Sequence, residues 1–240
     1  MVRPVPTSGS APTLTAGPVV LRAAALVAAG AVVLVVMIGL GWLVTHVEPQ
    51  TPLGAADLGI DGWLAAHRTP LLDTASQLAT DLCSTMNTFV LGLLAAAASV
   101  MILRRWWPVL LLVIALLGEL ALFLATAMIV GRPRPPVPHV DAALPPTSSF
   151  PSGHTGAAIC LFGGVAVIVL MTTRAWWRWV VLAAAGVLVV TVALGRMYRG
   201  AHYLTDALGA VVLALPWLLI TLRVLSPPEP AQRVAPTRST

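Results

Sequence analysis

The chain has 240 residues, of which 58% are hydrophobic and only 10% charged, with a formal net charge of +5 and a mean hydropathy of +0.90. Soluble domains carry roughly a quarter charged residues, so the composition excludes an ordinary soluble domain and points to a membrane protein. All 14 cationic residues are arginine; they stand singly or in pairs beside apolar runs and form no basic face, which argues against nucleic acid as a partner.

A bilayer core of about 30 Å requires about 20 apolar helical residues. Runs of that length predict six spans, at 23–45, 85–103, 107–130, 153–171, 177–194 and 203–222. The expected fold class is all-α: a polytopic membrane protein with six transmembrane helices in one bundle, forming a single domain over 19–224. Residues 1–18, rich in Pro, Ser and Thr, read as a disordered cytoplasmic tail, and 225–240 as another. The first apolar run is longer than the 7–15 residues or so of a signal peptide and lacks a small-x-small cleavage site, so it reads as an uncleaved helix.

After it comes a segment from Glu48 to Asp81 that carries Asp57, Asp61, Asp73 and Asp81. Spaced apolar residues and Trp63 predict short interfacial helices in this first outer loop, broken near Pro70, with His67 on the surface. Cys83 and Cys160 make no CxxC or zinc pattern and read as buried free thiols. With both termini in the cytoplasm, nine of the 14 arginines fall on the cytoplasmic side, as the positive-inside rule asks. Four of the other five, Arg132, Arg134, Arg196 and Arg199, cluster in two outer loops.

Those loops carry the unusual polar residues. GRPRPP (131–136) closes the third span, FPSGHT (150–155) opens the fourth, and GRMYRGAHYLTD (195–206) joins the fifth to the sixth. By parity all three reach the same outer face. Prolines alone explain a helix stop; two guanidiniums on the side that the topology rule disfavours suit a phosphate, whose oxygens accept their paired donors. In FPSGHT, Ser152 is a plausible N-cap, and the unpaired N–H groups of the first helical turn make an anion site. His202 and Asp206 are four apart, so on a helix they share a face, and the carboxylate would hold one imidazole nitrogen protonated while the other attacks.

These residues resemble the type 2 phosphatidic acid phosphatase family, which shares its site with vanadium haloperoxidases and has the signature K-x6-R-P, P-S-G-H and S-R-x5-H-x3-D. The second motif is intact in Pro151, Ser152, Gly153 and His154; the third matches at Arg196, His202 and Asp206. A tetrapeptide such as PSGH arises by chance in such a chain roughly once in a thousand. The resemblance spans about 107–222 and implies a metal-independent lipid phosphatase without a cofactor, working at the outer face of the cell membrane. His202 would be the nucleophile, Asp206 its orienting group and His154 the general acid and base; Arg134, Ser152, Gly153 and Arg196 would bind phosphate. Undecaprenyl or other polyprenyl diphosphates, phosphatidic acid and phosphatidylglycerophosphate are the substrates implied.

Two positions depart from the signature. Ala127 stands where the first motif has lysine, and Gly195 where the third has serine. The sequence expectation is that Arg132 or Arg199 takes over the missing charge. A lipid-phosphate-binding protein without turnover and a haloperoxidase remain alternatives; the pair His154 and His202 speaks against the first, and six spans without a large soluble domain against the second. Glu119, in mid-span and too far from the phosphate to touch it, reads first as a helix-to-helix hydrogen bond, with a role in lipid-tail or proton access as the alternative. His139 and Asp141 read as loop surface, with contact to a lipid headgroup as the alternative.

Overall fold

The computed structural model describes residues 17–141, 144 and 148–226, and most of both expected tails lies outside them. Helix α1 (Gly17–His46) is followed by a short 3-10 turn (Glu48–Gln50), α2 (Pro52–Ala66) and α3 (Pro70–Leu82). Helices α4 (Thr85–Leu103) and α5 (Trp107–Val130) come next. The fourth span comprises α6 (Gly153–Ala158), a π-helical turn (Ile159–Gly163) and α7 (Gly164–Thr172); α8 (Arg178–Tyr198) and α9 (Leu204–Leu225) complete the chain. Among the described residues there is no strand, and six helical segments are long and apolar enough to cross a membrane.

The predicted spans agree with these helices within a few residues, except at two ends. Helix α1 begins at Gly17, six positions before the predicted 23. Helix α8 runs to Tyr198 rather than 194, and its last turn, Gly195 to Tyr198, is buried because α3 packs across it. The loop helices begin where their caps say they should. Thr51 accepts from the Gly54 N–H and Thr69 from the Leu72 N–H, each followed by a proline at the first helical position, where its missing N–H costs nothing. Thr69 and Pro70 thus make the predicted break.

Helices α1, α5 and α9 pack around a core of Met37, Leu111, Leu112, Leu213, Trp217 and Leu218. Gly118 admits the Trp217 ring so closely that a Cβ would lie 2.1 Å from it, and the indole N–H donates to the Ala115 carbonyl at 3.1 Å. Close approach over small residues is how helices associate where lipid removes the hydrophobic drive between them. Large apolar side chains such as Val27, Leu93, Met101 and Val187 face outward, each more than 60% exposed, as a surface solvated by lipid requires. Cys83 and Cys160 are buried free thiols, as expected.

Candidate active site

Two helix ends deliver the site. Helix α5 stops at Gly131, whose φ of +64° suits a residue without a Cβ, and the chain leaves extended through Arg132 to Pro136. Helix α8 ends in a Schellman turn: Gly200 has φ +75°, its N–H donates to the Met197 carbonyl, and the Ala201 N–H donates to the Arg196 carbonyl. This reversal places His202 two residues before the start of α9 at Leu204.

The two proline-rich stretches are laced together by serines. Ser148 Oγ accepts from the Arg132 N–H at 2.9 Å, the Ser149 N–H donates to the Arg132 carbonyl at 2.8 Å, and Ser149 Oγ donates to the Pro133 carbonyl at 3.0 Å. The Ser152 N–H donates to the Asp206 carbonyl at 3.1 Å, tying the start of α6 to the first turn of α9.

Between α4, α5, α6 and the end of α8 lies a cavity of about 310 Å³. Its polar end is formed by Arg134, Ser148, Gly153, His154, Arg196 and His202; its other walls are mostly apolar, including Phe89, Leu116, Leu120, Phe123, Leu124 and Met128, with Thr85, Thr88 and Glu119 among them. Phe89, Leu124 and Met128 are also exposed on the outside of the bundle, so the cavity opens between α4 and α5. Ala127 lines it where the family signature has lysine.

The structure thus brings Arg134, Gly153, His154, Arg196 and His202 to one space. Arg134 Nη1 donates to the Ala201 carbonyl at 2.8 Å, which keeps it beside His202. Arg196 rides the last turn of α8; its Nη1 donates to Asp141 at 3.1 Å, and its buried Nε has no hydrogen-bond partner among the described residues.

Four expectations need correction. Ser152 is the N-cap of α6 by position, but its side chain makes no capping bond; Oγ accepts from the Thr155 hydroxyl at 3.0 Å, 1% of the residue is exposed, and it forms no part of the cavity wall. His202 and Asp206 do face each other, but not as neighbours on one helix, because His202 lies before the start of α9. His202 Nδ1 lies 2.7 Å from the Ser149 carbonyl and 3.7 Å from Asp206 Oδ2. Asp206 spends Oδ2 on the Tyr203 N–H at 2.9 Å, capping α9, and Oδ1 on Arg132 at 2.6 Å. The backbone carbonyl therefore fixes the imidazole tautomer, leaving Nε2 without a proton, and Asp206 acts from behind. Burial pushes the His202 imidazole below its ordinary value, while Asp206 pulls the other way.

Third, neither Arg132 nor Arg199 replaces the missing lysine. Arg132 is 4% exposed and bonds Asp206, Glu48 at 3.0 Å and Asp57 at 3.4 Å, with Thr205 at 2.7 Å and the Tyr203 ring 4.1 Å from its guanidinium carbon. Arg199 is held by Asp141 and Ser76. The described residues put Arg134 and Arg196, but neither of these two, on the cavity wall. Fourth, Glu119 makes no helix-to-helix hydrogen bond among the described residues, and it lines the same cavity as the histidines. Helix α6 starts beside Phe123, whose ring would sit 2.9 Å from a Cβ on Gly153. It therefore meets α5 well below its end, and the depth counted from Arg132 does not apply.

The sequence reading missed the acidic set behind the site. Glu48, Asp57 and Asp61 are buried. On α2 the buried positions are Gly54, Asp57 and Asp61, a polar stripe at helical spacing, and that inverted periodicity was the available signal. Burial, then the charges of Asp57 and Asp206, push the Asp61 carboxyl up to about 7 despite Arg132. Asp73 is bonded by the Tyr198 hydroxyl at 2.9 Å, so the segment between α1 and α4 is fastened to the end of α8. Asp141, read as loop surface, is the shared partner of Arg196 and Arg199. Burial raises its carboxyl and the two guanidiniums together overcome that, holding it below the usual range.

Two histidines and two arginines facing one cavity within a bundle of six apolar helices define a multi-pass membrane protein with a cationic, histidine-bearing site. The sequence pattern of the PAP2 superfamily matches residues 106–228, more than half of the chain, which therefore belongs to that superfamily. The chain is 36% identical over 69 residues to phosphatidylglycerophosphatase B of Bacillus subtilis (strain 168), a match covering 28% of this chain and 34% of that protein; it spans about a third of the length of this curated relative. Its fold is similar to the crystal structure of the first transmembrane PAP2 type phosphatidylglycerolphosphate phosphatase from Bacillus subtilis, with a TM-score of 0.68 and 24% identity over 78% of this chain and 92% of that one.

Proposed function

We propose that the protein is an integral-membrane lipid phosphatase that cleaves a phosphate or diphosphate from a lipid through a phosphohistidine. The observation that carries this reading is the single cavity that joins Arg134, His154, Arg196 and His202 and whose remaining walls are mostly apolar. A binding protein needs cations for a phosphate; it has no use for two imidazoles, one of them held as a nucleophile by the Ser149 carbonyl.

In the proposed reaction the lipid enters between α4 and α5 with its chain along Leu120 and Phe123. Its phosphate oxygens meet Arg134, Arg196 and the Gly153 N–H, where charge redistributes in the transition state. Ser152 supports the turn from behind. The His202 Nε2 lone pair attacks phosphorus while the bond from phosphorus to the lipid oxygen breaks, and that oxygen takes a proton from His154. Neutral His154 then accepts a proton from water as it attacks the phosphohistidine; the P–N bond breaks and its electron pair returns to Nε2. Arg132 and Asp206 keep the start of α9, and with it His202, in place.

The arginine distribution supports cytoplasmic termini and a site at the outer face. The name of the curated relative makes phosphatidylglycerophosphate a substrate to test beside phosphatidic acid and polyprenyl phosphates and diphosphates. Purified protein in detergent should release phosphate from at least one of these lipids, and His202→Ala, folded as judged by gel filtration, should release none. Turnover by His202→Ala at the parental rate would refute the assignment.

A further inference from the structure

Glu119 is 3% exposed, lines the cavity, and has neither a hydrogen bond nor an ion pair among the described residues. Native interiors rarely leave a buried carboxyl without a partner. Leu116, Leu120 and Phe123 on the same wall offer it none, and among the described residues neither Cys83, Thr85 nor Thr88, which also line the cavity, bonds it, so a bound molecule in the cavity is the remaining source of a partner.

Its depth says which group. Glu119 Oε1 would lie 2.2 Å from a Cβ on Gly156, so the carboxyl rests on α6 at that residue. Gly156 is three positions beyond Gly153, a rise of about 4.5 Å along the helix. A phosphate at Gly153, Arg134 and Arg196 therefore has the part of its lipid lying roughly four bonds from phosphorus beside Glu119, at about 1.5 Å or less per bond. In a glycerol-based lipid that position carries oxygen, as hydroxyl or ester. In a polyprenyl phosphate it carries hydrocarbon.

We infer that Glu119 is a specificity-determining residue that hydrogen-bonds the glycerol oxygens of the bound lipid, so that the cavity favours glycerol-based lipid phosphates over polyprenyl phosphates. The inference rests on the phosphatase reading above. The protonated carboxyl donates its O–H to a glycerol ester oxygen of one substrate and finds no acceptor on the hydrocarbon of the other, which for one buried bond is worth about tenfold in relative kcat/KM.

The test compares phosphate release from dioctanoylglycerol phosphate and farnesyl phosphate by the purified full chain and three variants, read as the ratio of the two kcat/KM values. Glu119→Leu should lower the glycerolipid-to-farnesyl ratio about tenfold, and Glu119→Gln, which still donates and accepts, by less than about threefold. Gly156→Ala puts a methyl where the carboxyl rests and should shift the ratio in the same direction as Glu119→Leu. A ratio that stays constant while both rates fall together would make Glu119 a packing residue and overturn the inference. A parental enzyme that prefers farnesyl phosphate would overturn it as well, with the phosphatase reading intact. Absence of turnover on either lipid, and on every other lipid phosphate offered to the parental protein, would refute the phosphatase reading and this inference with it.

Discussion

Replacing Arg132 separates a structural cation from a substrate-binding one. Its guanidinium is 4% exposed and faces the carboxylates of Asp206 at 2.6 Å, Glu48 at 3.0 Å and Asp57 at 3.4 Å. Arg132→Ala leaves these three acids around a cavity without a cation. At an effective dielectric of about 20, two charges roughly 4 Å apart interact by about 4 kcal/mol, so the acids would take up protons before bearing full mutual repulsion. That relaxation limits the loss to the range for breaking a buried ion pair, about 3–5 kcal/mol. For a chain of this size it corresponds to a fall in Tm on the order of 10 °C. The assay is thermal unfolding of detergent-solubilised protein with phosphate release measured on the same sample. Arg132→Met combined with Glu48→Gln and Asp57→Asn should recover part of the lost stability, because it removes most of the orphaned charge with the cation. If Arg132→Ala unfolded at the parental Tm while KM for the lipid phosphate rose with kcat unchanged, Arg132 would belong to the phosphate clamp and the structural reasoning would be refuted.

Three further outcomes are expected. Asp141→Asn should release Arg196 and Arg199 from a shared carboxylate and tighten inhibition by inorganic phosphate about two- to fivefold, the worth of a partly exposed ion pair; weaker inhibition would mean that Asp141 positions the arginines for phosphate. Because burial lowers the His202 pKa below 6.5, protonation of the nucleophile requires more acid than for a free imidazole, so the acid limb of kcat/KM that His202 sets should lie below pH 6.5. Asp206→Asn removes the opposing charge and should move that limb further to acid, which a pH profile of both proteins checks. Asp61, raised to about 7, keeps a proton that the unfolded chain releases near 4, so its contribution to stability declines between about pH 4 and 7 and is flat above. Asp61→Asn should therefore unfold at a higher temperature than the parental protein at pH 8 and not at pH 4; equal Tm values at both would refute the buried placement.

The number, order and approximate bounds of the spans were legible in the sequence because a bilayer imposes its length on every helix that crosses it, and this demand acts locally. The two arginines, two histidines and the glycine that face the cavity were legible too, because PSGH and R-x5-H-x3-D place their chemistry within a few residues at helix ends. What a residue touches across the bundle was not local, and only the tertiary structure decided it. Arg132 and Arg134 are two apart in an arginine-proline stretch, yet the chain leaves Gly131 extended, so the first turns into the acids of α2 and α9 and the second into the cavity. Asp206 could not be read as an N3 cap until α9 was seen to begin at Leu204. Glu119 could not be placed beside the histidines until α6 was seen to meet α5 at Phe123. Local periodicity specifies which helices form. The depth at which they pack determines which side chains share a site, and that depth is fixed by contacts such as Gly153 against Phe123 and Gly156 against Glu119, whose partners lie far apart in sequence.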